Sequence, residues 1–125
     1  KAIYPSSKTA QISYDSYQFD QANKVLSFKA EAYGANIVFS QQPAPDSLSS
    51  GDQVYYPALG IRPYAQFQSK LGPVALTRFW KSNNLEPSGQ TAVMAVEGIL
   101  LLAHPDKDLS NDQWKQLFDA LKSTR

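Results

Sequence analysis

The stretch TAVMAVEGILLLAHP, Thr91 to Pro105, limits the fold more than any other part of the chain. A strand with one wet face alternates apolar and polar residues. This run is apolar at nearly every position, as expected of central strands covered above and below. A turn at Glu97-Gly98 would pair Val96 with Ile99, Met94 with Leu101 and Ala92 with Ala103, leaving Val93, Ala95, Leu100 and Leu102 on the opposite face. Both faces are then apolar, and the fold must supply two covers. A bilayer is not one of them: Ala92 to Ala103 is a run of twelve residues interrupted by Glu97 and Gly98, and a spanning helix needs about 20 apolar residues.

One cover is written in DLSNDQWKQLFDALKS, residues 108 to 123. Ser110 followed three residues later by Gln113 is a capping box. Trp114, Leu117, Phe118 and Leu121 fall on one helical stripe. Asp112 in the first turn, with Lys122 and Arg125 near the end, suits the helix dipole. The second cover is expected from the segment between Pro43 and Pro63, which offers Leu48, Val54, Tyr55, Tyr56 and Leu59.

The rest of the chain reads mainly as antiparallel strands. Gln11 to Phe19, Lys24 to Ala32 and Ala35 to Gln42 are rich in β-formers, and a polar loop, Asp20 to Asn23, joins the first two. In the first, Ile12 and Tyr14 share a register, whereas Tyr17 and Phe19 sit one position off. Pro43 to Asp52 is a loop by composition, with room for a short extra helix near Pro45 to Val54. Pro57 and Pro63 restrict Gln53 to Pro63 to an edge or an irregular crossing. Tyr64 to Leu71 is expected to fold back on Val74 to Trp80 about Gly72-Pro73, which sets Leu71 opposite Val74. Proline suits the second position of such a turn poorly, so that register is open to a slip. The expected architecture is a single α+β domain over 11–125, preceded by a lead-in or linker over 1–10. Its core is an antiparallel sheet of five to seven strands with the C-terminal helix packed on one face.

The chain has 125 residues, 42% of them hydrophobic and 18% charged, which fits one globular domain. With no cysteine it has no disulfide framework, thiolate metal site or cysteine nucleophile. His104 is the only histidine; it reads as a strand-end residue beside a proline, and as a general base only in a third-ranked reading as a small hydrolase. Asp106 to Asp112 has oxygen ligands without the EF-hand order, and no glycine-rich phosphate loop is present. No catalytic residue, metal ligand or cofactor is assigned, and the chain is expected not to be an enzyme.

Charge is informative in its placement. The net charge is +1, yet Gln53 to Leu85 contains no acid while Arg62, Lys70, Arg78 and Lys81 lie within it. Tyr64, Phe67, Phe79 and Trp80 interleave these cations, a pattern able to hold a polyanion such as DNA or an acidic glycan. Tyr55 and Tyr56 with Tyr64 could form an aromatic platform for sugar or protein contacts. The candidate binding residues are therefore Tyr55, Tyr56, Arg62, Tyr64, Lys70, Arg78 and Lys81.

The segment GQTAVMAVEGILLLAHPDKDLSNDQWKQLFDALKS resembles the end of small bacterial extracytoplasmic domains, in which a terminal hairpin leads through a polar loop into a helix. FKAEAYGANIVFSQQPAP, residues 28 to 45, is similar to a strand–turn–strand segment of such domains on single-pass membrane proteins, the PsbP-like and sigma-regulator sensor-like groups. The resemblance implies a noncatalytic binding or assembly module of the bacterial envelope, with a protein partner there and an extracytoplasmic location. Because the sequence opens on Lys1, a membrane anchor is expected in a segment before it. The runner-up is a surface filament or envelope-complex subunit that binds DNA or another polyanion through the basic 62–81 hairpin. No functional residue carries over from the resemblance.

Overall fold

The computed structural model describes residues 3–5, 10–22, 24–43, 63–80, 87–96 and 98–123, with backbone alone at 14, 15, 63, 78–80, 87–89 and 123. In chain order the elements are β1 (Ile3–Tyr4), β2 (Gln11–Asp20), β3 (Val25–Ala32), β4 (Ala35–Pro43), β5 (Pro63–Gln68), β6 (Pro73–Trp80), β7 (Pro87–Val96), β8 (Ile99–Pro105), α1 (Asn111–Asp119) and β9 (Lys122–Ser123). Seven strands form one antiparallel sheet in the order β2-β3-β4-β8-β7-β6-β5, while β1 and β9 pair as a separate ribbon. The fold is thus a sheet-dominated α+β arrangement with one short C-terminal helix. Two meanders, β2 to β4 and β5 to β8, meet at the seam where Ile37 pairs with Pro105 and Phe39 with Ala103.

The apolar hairpin adopts the expected register, with Val96 opposite Ile99, Met94 opposite Leu101 and Ala92 opposite Ala103. Gly98 takes a φ of 78°, a backbone region that glycine enters without steric cost. Alternation in β3 and β4 selects the core face: Phe28, Ala30, Ile37 and Phe39 are buried, whereas Lys29, Glu31, Asn36 and Val38 are exposed. On that core side Met94, Leu101, Phe39 and Leu76 join one cluster with Trp114, Leu117, Phe118 and Leu121. Alanines at 30, 92 and 103 leave space above the sheet for the large rings. Phe118 meets Phe67 edge-on at 6.2 Å and Trp114 at 6.0 Å.

The opposite face is also closed over its centre. Ala75, Thr77, Thr91, Val93 and Leu100 are buried, and Ala75, Val93 and Leu100 stand outside the main cluster. The hairpin is therefore a ribbon buried on both sides. Burial fades toward β4, where His104 and Leu102 are half-buried and Val38 is 40% exposed. The expectations that residues 43–63 supply this cover and hold a short helix fall on 44–62, outside the described residues.

Two expectations need correction. The β5–β6 turn does not use Gly72-Pro73: Ser69 and Gly72 exchange backbone hydrogen bonds at 2.9 and 3.2 Å, so Lys70-Leu71 form the loop. Phe67 then faces Val74 and Ala65 faces Leu76, a turn moved by two residues and a pairing shifted by four, which preserves the inward set and frees Pro73 to open β6. The helix keeps its capping box, with Ser110 Oγ accepting from Gln113 N and Gln113 Oε1 accepting from Ser110 N, but it ends at Asp119 and has no basic residue in its last turn. Lys122 instead belongs to β9. Near the start of the chain, Ile3 is fully buried and Ile3–Tyr4 pair with β9.

Candidate functional site

Two buried glutamines fasten the covering layer to the sheet. Gln41 accepts from Ile3 N and donates to Ile3 O, both at 2.7 Å. Gln90 accepts from Leu109 N at 2.8 Å and donates to Leu109 O at 3.1 Å. A side-chain amide carries the same donor and acceptor as a peptide, so each glutamine acts as one rung of a ladder that the sheet cannot otherwise offer from its face. Gln41 thereby holds the N-terminal strand, and Gln90 holds the approach to α1.

The candidate site lies beside the first of these clamps, at the end of the sheet where the β2–β3 hairpin, the end of β4 and the β7–β8 turn converge. It is a cavity of about 250 Å³. The β2–β3 hairpin contributes Phe19, Lys24 and Leu26, the end of β4 contributes Gln41, Gln42 and Pro43, and the β7–β8 turn contributes Gly98 and Ile99. Register explains the convergence: Phe19 pairs with Leu26, Leu26 with Gln41 and Gln41 with Leu101. This row is apolar except for Gln41, whose amide is committed to Ile3.

Phe19 forms the open wall and is 61% exposed. Its placement follows from an irregularity in β2, where Ser13 pairs with Lys29 but Gln18 already pairs with Ser27. The extra residues bulge outward, and the Ser16 hydroxyl bridges the gap by accepting from Lys29 N at 2.8 Å and donating to Ser13 O. At the end of the irregular stretch the Tyr17 ring is tilted against Phe28 with centroids 5.1 Å apart, and Phe28 stacks on Phe39 at 5.2 Å. An aromatic ladder thus runs from the core to the sheet edge. Lys24 closes the hairpin at φ 56°, and Asp20 Oδ1 accepts from Ala22 N within the same turn at 3.0 Å.

Of the residues singled out from sequence, Tyr64, Lys70 and Arg78 fall within the described residues. Tyr55, Tyr56, Arg62 and Lys81 are outside the described residues. Lys70 sits in the β5–β6 turn, its backbone N–H donating to Asp119 Oδ1 at 2.9 Å. Arg78 pairs with Gln90 toward the other end of β6, about 20 Å from Lys70 at roughly 3.3 Å per strand residue. Tyr64 occupies an irregular step between Pro63 and Ala65, is 51% exposed, and accepts from Gln90 Nε2 at 2.7 Å. Tyr64 and Arg78 thus lie on neighbouring strands beside Gln90, while Lys70 lies at the opposite end of β6. Sequence reading missed Phe19, Lys24 and Gln41; the out-of-register Tyr17 and Phe19 were the trace that β2 bulges and turns an aromatic ring outward.

His104 Nδ1 lies 3.1 Å from Thr91 Oγ1, and Thr91 is buried. Asp106 accepts from Asn36 N and Nδ2 at 3.0 and 3.2 Å. Those bonds, the backbone one foremost, hold its carboxyl below the ordinary aspartate range. Asp119 is lowered chiefly by its bond from Lys115. Among the described residues no group of three or more His, Asp or Glu is placed to hold a metal ion, and no helix is long and apolar enough to cross a membrane. No protein-family model, curated protein or solved structure matches this chain.

Proposed function

We propose that the chain is a noncatalytic binding module whose contact point is the pocket between the β2–β3 hairpin, the end of β4 and the β7–β8 turn. The observation that carries this reading is Phe19: a large apolar side chain, mostly exposed, aimed along an open cavity whose other walls include Leu26, Pro43 and Ile99. Isolated exposed apolar residues are ordinary on protein surfaces. A concave apolar site with a few polar groups at its margin is the usual form of a binding pocket. Thr91, whose hydroxyl lies against His104 Nδ1, is buried, which favours the noncatalytic reading over a hydrolase that uses His104. The extracytoplasmic setting, the membrane tether and an envelope protein as partner belong to the same proposal and rest on the resemblance of residues 28–45 and 89–123.

A neutral single-ring probe tests the site. Titration of the labelled chain with benzyl alcohol, followed by amide NMR shifts, is expected to move Leu26, Gln42, Gly98 and Ile99 together. Phe19→Ser should weaken that response about tenfold while leaving the melting temperature close to the parent value. Shifts scattered over the molecule, or a response indifferent to Phe19→Ser, would sink the reading.

A further inference from the structure

We propose that this pocket accepts a small amphiphilic carboxylate: one aromatic ring or a short acyl body ending in a carboxylate. The inference rests on reading the pocket as a binding site and adds the class of its ligand. Size sets the body. At about 250 Å³ the cavity falls below the roughly 300–1,000 Å³ of sites that enclose drug-sized molecules, so it suits a single ring and not a fused system. Phe19, Leu26, Pro43 and Ile99 offer that ring apolar contact.

Charge sets the other end. Among the described residues Lys24 is the one ionic side chain in the lining. Asp20, the nearest acid along the hairpin, turns one oxygen to the N–H of Ala22. Lys24 is a lysine in the left-handed region, with φ 56°, a conformation most L residues avoid. It fixes where the side chain leaves the backbone at the hairpin's end. A carboxylate gains a charge-assisted contact with Lys24 that a neutral or cationic ligand does not. Gln42, half-buried in the same wall, carries an amide able to orient the anion. Gln41 does not compete, because both ends of its amide are bonded to Ile3.

The shared chemistry has two sources, a free aromatic acid or the last residue of a peptide. The full chain should be titrated by NMR with N-acetylphenylalanine, with its neutral amide, and with acetyl-Gly-Gly-Phe bearing a free carboxylate. The acid is expected to bind at least fivefold more tightly than the amide, with shifts centred on Leu26, Gln42 and Ile99. Lys24→Met should erase that preference while leaving the amide's affinity unchanged. Lys24→Gly, which relieves the positive φ, should do the same in a chain at least as stable. Tighter binding of the tripeptide supports the class and assigns a peptide end; weaker binding supports the class and assigns the free acid. An amide that binds as well as the acid overturns the ligand class while the pocket stands. No site-centred shift with any probe overturns the ligand class and the pocket together.

Discussion

At the residue scale, Gln41 and Gln90 supply hydrogen bonds between the covering layer and the sheet that no apolar core side chain can make. Each satisfies the N–H and the C=O of one covering residue, Ile3 or Leu109, and both covering residues are buried. A buried backbone group left without a partner costs about 1–3 kcal/mol. Gln90→Leu keeps the volume but abandons two such groups, so it should lower unfolding stability by about 2–4 kcal/mol. Gln41→Leu should cost a similar amount and also free β1. Urea denaturation midpoints check both, and a loss below about 0.5 kcal/mol, the range of an ordinary surface change, would show that water serves these groups equally well. None of this was legible in the sequence. Nothing in the spacing of Ile3 and Gln41, 38 positions apart, announces a pair, and a glutamine inside a strand pattern reads as solvent-facing.

At the scale of elements, legibility followed how many independent constraints agreed. The β7–β8 hairpin was readable because apolar residues on both faces and a glycine at 98 required the same register. Helix α1 was readable because its cap and its stripe coincided. Ser110→Ala should cost about 1 kcal/mol and Ser110→Gly only a few tenths, an order that paired thermal melts can verify and that a reversal would contradict. The β5–β6 turn was misplaced because Gly72-Pro73 has turn-like composition, while Ser69 and Gly72 have the better backbone pairing. Ser69 Oγ reinforces that choice by bonding Gly72 O at 2.7 Å. The candidate pocket lies beyond element-level reading altogether. Its walls come from two turns and a strand end that only the register of β2, β3, β4 and β8 brings to one end of the sheet.

At the scale of the whole molecule, the fold is two local meanders joined by one distant seam. β2 to β4 and β5 to β8 are each built from neighbours in sequence, whereas Ile37 and Pro105 must find each other across most of the chain. Loop closure makes such non-local pairing slow, so the β4–β8 seam is the natural late step of folding. The pocket straddles that seam, since Gln42 and Pro43 stand on one side and Gly98 and Ile99 on the other. It is complete only once both halves have joined.

The β1–β9 ribbon has a mechanical meaning. Ile3 lies opposite Ser123 and Tyr4 opposite Lys122, so a load applied through residues 3 and 123 separates the rungs one after another instead of shearing them together. In a chain without native cysteine, thiol handles placed at those two positions would give an optical trap an unambiguous grip. The first yielding event should be short and weak, well before the sheet ruptures, and Gln41→Leu should weaken it further. A single rupture at high force would refute this. Under tension the ribbon is a fuse: it opens first and leaves the seven-stranded sheet, with its pocket, intact behind it.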